Sequence, residues 1–185
     1  MEVHTVHWKR LDLPGHEICR LQALPDGWQL SGIAAFRYRQ RAAKLEYAVT
    51  CDRQWQTLSA TVTGWVGDRE VAVEVVREAS GRWRLGGQEC SAVAGCTDVD
   101  LNFSPSTNLL PIRRLDLALG QSAPVHAAWL RFPSFALEPL EQVYTRLDPH
   151  GYLYESGGHF VAQLGVDDAG LVTDYGDLWV REKTG

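Results

Sequence analysis

Alternation with a period of two runs through most of this chain. Between Trp55 and Val66 one face carries Trp55, Thr57, Ser59, Thr61, Thr63 and Trp65 and the other Leu58, Ala60, Val62 and Val66, the pattern of a long strand buried on one side. Leu45, Tyr47, Val49 and Cys51 alternate before it, and Val71, Val73 and Val75 after it, so a meander of antiparallel strands is expected. The C-terminal half repeats the style in Tyr152 and Tyr154, in Phe160, Ala162, Leu164 and Val166, and in Leu171, Thr173 and Tyr175. Turn residues interrupt these runs at short intervals, at Pro25-Asp26-Gly27, Gly67-Asp68, Ser80-Gly81, Gly86-Gly87, Asp148-Pro149-His150-Gly151, Ser156-Gly157-Gly158 and Asp168-Ala169-Gly170. Helical spacing is scarce, confined to one short helix opening at Pro105 and a second over Leu137 to Val143. The expected fold is mainly β, with one or two short helices. A strand ending at Asp52 and reversing before Trp55 echoes one ending at Asp167 and reversing at Gly170, too short a likeness to indicate duplication.

Length and composition limit what such a sheet can be. At 185 residues and 45% hydrophobic content, residues 1–185 are expected to form one domain. A chain of that size buries roughly 70% of the surface it exposes when unfolded. Eighteen Lys and Arg against 23 Asp and Glu give a net charge of -5, which argues against a nucleic-acid partner. Arg37, Arg39 and Arg41 alternate around Tyr38 and read as a solvated strand face. The opening Met1-Glu2-Val3-His4 has no basic and apolar leader pattern and no run is long enough to cross a bilayer, so the cytoplasm is the expected compartment. Four cysteines at 19, 51, 90 and 96 are scattered and are expected to be reduced. No cofactor or metal is expected. His16-Glu17 begins like a zinc-protease helix, but Arg20 stands where the second histidine belongs, and His4 and His7 lack a third ligand.

Candidate chemistry concentrates between Cys96 and Leu115. In an extended strand Asp98 and Asp100 share one face while Val99 and Leu101 take the other. Ser104-Pro105 reads as a helix cap with proline at the first helical position, and Pro111 limits the helix to about two turns. Asn102, Thr107 and Asn108 add amide and hydroxyl groups, with Asn108 also suited to closing the helix end. Arg113 and Arg114, if extended, point to opposite faces, so at most one should reach the acids. These groups suit a polar ligand site or an ion-pair network. The two carboxylates also have the spacing that glycoside hydrolysis requires, with backbone positions about 6.5 to 7 Å apart.

Aromatic content favours an amphiphilic ligand. Seven tryptophans are many for this length, and Trp129, Tyr144 and Tyr154 are the aromatic candidates for ligand contact beside the polar segment. Aromatic faces stack on the apolar faces of sugars and cover acyl chains, while N–H and O–H groups bind hydroxyls. Burial in the sheet is the competing role for each ring.

The runs DVDL, SPSTN and LPIRRL within residues 98–115 resemble the signature of the bacterial family named "putative glycolipid-binding proteins". The likeness continues in Gln142-Val143-Tyr144, in Val166 to Val172 with Tyr175, and in Leu178-Trp179-Val180-Arg181, and so covers most of the chain. It implies a spiral β-roll or strongly curved sheet in the style of bacterial lipoprotein carriers, binding a lipid or glycolipid. The expectation is noncovalent binding in a concave sheet, with Asp98, Asp100, Asn102, Thr107, Asn108, Arg113, Arg114, Trp129, Tyr144 and Tyr154 as site residues. Two alternatives are a sugar-acting hydrolase or isomerase using Asp98 and Asp100, and a ligand-free interaction scaffold. Peripheral membrane contact and oligomeric state stay open.

Overall fold

A computed structural model describes residues 3–182; the reading of Met1 and Glu2 as free of a leader lies outside them. The alternating runs form β1 (Val3–Arg10), β2 (Gly15–Leu24), β3 (Gly27–Tyr38), β4 (Arg41–Asp52), β5 (Thr57–Val66) and β6 (Arg69–Arg77), followed by the short β7 (Trp83–Leu85) and β8 (Gln88–Glu89). Then come β9 (Asp98–Leu101), a 3-10 turn over Ser106–Asn108, α1 (Leu109–Leu115), and β10 (Ser122–Arg131), β11 (Ala136–Asp148), β12 (Gly151–Ser156), β13 (Phe160–Val166), β14 (Val172–Tyr175) and β15 (Trp179–Arg181). All fifteen strands belong to one strongly curved open sheet, in the order β8-β7-β6-β5-β4-β3-β2-β1-β15-β14-β13-β12-β11-β10-β9. Consecutive strands pair antiparallel within β1–β8 and within β10–β15, and β1 joins the two halves by pairing with β15, Arg10 opposite Trp179.

The neighbours β9 and β10 run parallel. A parallel pair needs a crossover, and residues 102–121 supply it by carrying the 3-10 turn and α1. The sheet curls until its β9 end meets β5 again. Thr57 makes that junction, its N–H donating to the Thr97 carbonyl at 3.2 Å and its Oγ1 accepting from the Val99 N–H at 2.9 Å. A bulge opposite Thr50 and Cys51 shifts the register there. Thr57 is therefore fully buried and Leu58 is 41% exposed, the reverse of simple alternation, whereas Ala60 and Val62 face inward as expected. Trp55 lies in the preceding turn with φ 64°, buried and stacked on Trp28.

Leu137 to Val143 is strand rather than helix. Leu137 is buried in the large core and Gln142 and Tyr144 are buried on the opposite face, and Pro139 is tolerated because β11 has β10 on one side there while β12 begins to pair at Gln142. The echo between Asp52 and Asp167 is real at the level of the turns. Asp52 Oδ1 accepts from the N–H groups of Gln54 and Gln56, both at 2.9 Å, and Asp167 Oδ1 from those of Ala169 and Leu171, at 3.1 and 2.9 Å. Both turns brace α1: the Arg113 guanidinium lies 5.2 Å from the Trp55 ring, and Gly170, at φ 88°, leaves space where a Cβ would come within 2.9 Å of Leu109.

Candidate functional site

The strand β9 divides two packed compartments. Val99 and Leu101 enter the large core with Trp8, Leu45 and Trp83, while Asp98 and Asp100 share the opposite face, as alternation requires, toward α1 and a smaller cluster that includes Tyr144, Tyr154 and Leu164. The two acids have different environments. Asp98 is buried and receives hydrogen bonds from Arg114 Nε at 3.1 Å, from Arg114 Nη2, and from the Thr97 hydroxyl. Asp100 has no guanidinium partner among the described residues. Its Oδ2 accepts from Gln142 Nε2 at 2.7 Å, and the half-buried side chain opens into a cavity. Removal from bulk water pushes its carboxyl up to about 6, against the opposing hydrogen bond from Gln142.

That cavity, of about 480 Å³, lies between the crossover and the inner face of the C-terminal strands. Asp100, Asn102, Asn108, Trp129 and Tyr154, five of the residues expected at the site, line it. Asn102 also holds the Phe132 N–H through Oδ1 at 3.1 Å. Asn108 is oriented from both ends, its Nδ2 donating to the Pro105 carbonyl at 3.1 Å and its Oδ1 accepting from the Tyr144 hydroxyl at 2.8 Å. Tyr144 thus stands behind the wall. Tyr154 packs 5.0 Å from Tyr144 and 5.8 Å from Tyr175, ring centre to ring centre. Burial first pushes the phenols of Tyr154 and Tyr175 well above their ordinary range, followed by the Asp100 charge for Tyr154 and by the neighbouring Tyr154 and then Asp100 for Tyr175.

Five expected residues do not line the cavity: Asp98 and Tyr144, held as described, and Thr107, Arg113 and Arg114. Thr107 is structural, its Oγ1 accepting from the Leu101 N–H at 3.1 Å. The helix is displaced from the expected span: Ser104 precedes the 3-10 turn, and α1 runs on through Pro111 to Leu115. Pro111 falls in the first turn of α1, where a backbone N–H is not needed, so it does not stop the helix. Arg113 and Arg114 are therefore helical neighbours rather than strand neighbours. Arg114 turns to Asp98, while Arg113 lies over Trp55 beside a second, more open basin of about 370 Å³ with Arg146, His150 and Asp168.

Other cavity residues were not among those expected at the site: Ser104, Arg131, Leu140, His159, Phe160, Tyr175 and Trp179. Ser104 leads to a second buried acid, Glu17, whose Oε1 accepts hydrogen bonds from Ser104 and Tyr47, both at 2.5 Å. Desolvation raises the Glu17 carboxyl to about 7, and the bonds from Ser104 and Tyr47 and the Arg10 charge oppose the rise. The pattern Glu17, Cys19, Leu21 puts an acid on an apolar face, which is the sequence signal for this group. Among the described residues no cluster of His, Cys, Asp or Glu fits a metal ion, and no helix is long and apolar enough to cross a membrane.

Residues 5–181 match the model of the family described as "Putative glycolipid-binding". The chain belongs to that family. A crystal structure of a DUF1089 family protein from Pseudomonas aeruginosa is similar to this member, with 33% identity, a TM-score of 0.80 and coverage of 90% of this chain and 92% of that one. A beta-barrel-like DUF1849 protein from Brucella abortus shares the fold at 11% identity, with a TM-score of 0.57 and coverage of 97% and 93%. No curated protein sequence matches this glycolipid-binding family member significantly.

Proposed function

We propose that the protein binds a glycolipid noncovalently, with the sugar-bearing head in the cavity lined by Asp100, Asn108, Trp129 and Tyr154. The observation that carries this is the cavity itself: aromatic rings and a few oriented polar groups meet in about 480 Å³. Small-molecule sites span roughly 300–1,000 Å³. Trp129, Tyr154 and Tyr175 offer faces for sugar stacking, and Asn102, Asn108 and Asp100 offer hydrogen-bonding groups for hydroxyls. A smaller hollow of about 250 Å³ with Pro124, Val143 and Val161 shares Ser156, His159 and Phe160 with the cavity, and suits the start of a lipid chain. The large core is packed with the protein's own side chains, so the lipid chain is assigned to the rim rather than the core. The family to which the protein belongs supports a binding role.

A two-carboxylate glycosidase mechanism is disfavoured by Asp98, which is buried and committed to Arg114 and so unavailable as acid, base or nucleophile. A filled scaffold is disfavoured by the cavity. Native mass spectrometry and lipid extraction of the purified protein, followed by titration with glycolipids and matched lipids without sugar, test the proposal. Retention of a glycolipid, weakened by Trp129→Ala, is expected. An empty protein that binds no member of the panel overturns it.

A further inference from the structure

We infer that the Asp100 end of the cavity is a subsite for a cationic group, a protonated amine or quaternary ammonium carried on the amphiphile's head. This deepens the proposed glycolipid binding and rests on the same cavity. Asp100 Oδ2 is held by Gln142, but among the described residues Asp100 Oδ1 receives no hydrogen bond. The nearby cations are directed elsewhere: Arg114 to Asp98, Arg113 over Trp55, and Arg131, at the cavity wall, toward Glu138 at 3.4 Å and over the Trp129 ring at 5.4 Å. A carboxylate thus faces the cavity without a compensating charge.

The walls complete the match. Trp129, Tyr154, Phe160, Tyr175 and Trp179 line the same space, and aromatic ring faces attract cations through their quadrupole. An anionic head would meet the Asp100 charge with no free guanidinium beside it. A neutral hydroxyl can bond the carboxylate but leaves its charge uncompensated, whereas an ammonium supplies both donor and charge.

The groups around Asp100 define its pH response. Asp98 shares its strand and is held by Arg114, Tyr144 faces it from β11, Tyr154 from β12 and Tyr175 from β14, with His159 on the β12–β13 hairpin and Arg131 at the end of β10. The three phenols stay neutral, since burial raises all of them. Because the Asp100 carboxyl is raised to about 6, cation affinity should be full above that pH and fall below it.

Calorimetric titration with octyl glucosaminide, octyl N-acetylglucosaminide and octyltrimethylammonium separates the possibilities. At about pH 7 the free amine should bind at least ~10-fold more tightly than the N-acetyl form, as a charge-assisted bond predicts, and Asp100→Asn should erase the difference. If Asp100→Asn does not fold, a second arm decides. In His159→Gln, where the hairpin imidazole cannot contribute, the fixed charge of octyltrimethylammonium should lose about 10-fold in affinity between about pH 7 and pH 5. Equal binding of amine and N-acetyl glycosides, or a preference retained in Asp100→Asn, overturns the cation subsite while leaving glycolipid binding in place. Asp100-dependent binding of octyltrimethylammonium without binding of either glycoside supports the cation subsite and overturns the sugar. No binding of any probe overturns both.

Discussion

Tyr47 on β4 donates its hydroxyl to Glu17 on β2 at 2.5 Å, crossing β3 where Gly32 has no side chain. A Cβ on Gly32 would lie 2.5 Å from the Tyr47 hydroxyl and 2.7 Å from the Ile18 carbonyl oxygen. Gly32→Ala should therefore push the ring off Glu17 and destabilise the fold by about 1–3 kcal/mol, the usual cost of overpacking. Chemical denaturation checks the magnitude. An unchanged midpoint would show that Tyr47 has another path to Glu17.

Glu17 itself should make stability fall as pH rises. Its carboxyl goes from 4.5 to about 7 on folding, so the folded state favours the protonated form. That contribution is fully present below about pH 4.5 and is lost progressively as pH rises through about 7, with a total of about 3 kcal/mol. Glu17→Gln keeps an oxygen for Tyr47 and Ser104 and cannot ionise. It should flatten the stability profile between these limits and gain stability above them, measured by denaturant unfolding across the pH series.

Breaking the Asp98–Arg114 pair should harm folding before binding. Asp98 is 1% exposed, and its removal leaves a guanidinium whose side chain is 19% exposed. Asp98→Ala should cost about 3 kcal/mol, the lower end of the range for a buried pair because Arg114 retains some water. Asp100→Asn should cost less, since no cation loses its partner and Gln142 can turn its amide to match. Unfolding curves for the two variants distinguish the roles: equal losses would mean that both acids are structural.

Much of the sheet was legible because Leu45, Tyr47, Val49, Ala60 and Val62 alternate cleanly with outward residues, and that periodicity survives into the structure. It failed where local pattern was overruled by contacts distant in sequence. Thr57 turns inward because β9 needs its hydroxyl, and no residue near Thr57 announces that partner. Leu137 to Val143 reads as helix by spacing but is held extended by β10. At the candidate site, Asp100, Asn108 and Tyr154, expected together because polar and aromatic groups cluster near the crossover, line one cavity. Phe160, Tyr175 and Trp179 join them through the pairing of β12, β13, β14 and β15, which side-chain identity does not encode locally.

Thr57→Val isolates the junction that returns β9 to β5. Valine keeps the shape and the β-branch, and the Thr57 N–H still donates to Thr97, but the buried Val99 N–H loses its acceptor. An unsatisfied buried donor costs about 1–3 kcal/mol, so the variant should be less stable by that amount. The loss has a local signature, because β9 also carries Asp100. Hydrogen exchange at the Val99 amide should quicken more than at amides of β3 and β4. If the exchange rise were uniform across the sheet, Thr57 would be a general packing residue, and β9 would be held by its pairing with β10 and the Asp98–Arg114 bridge instead.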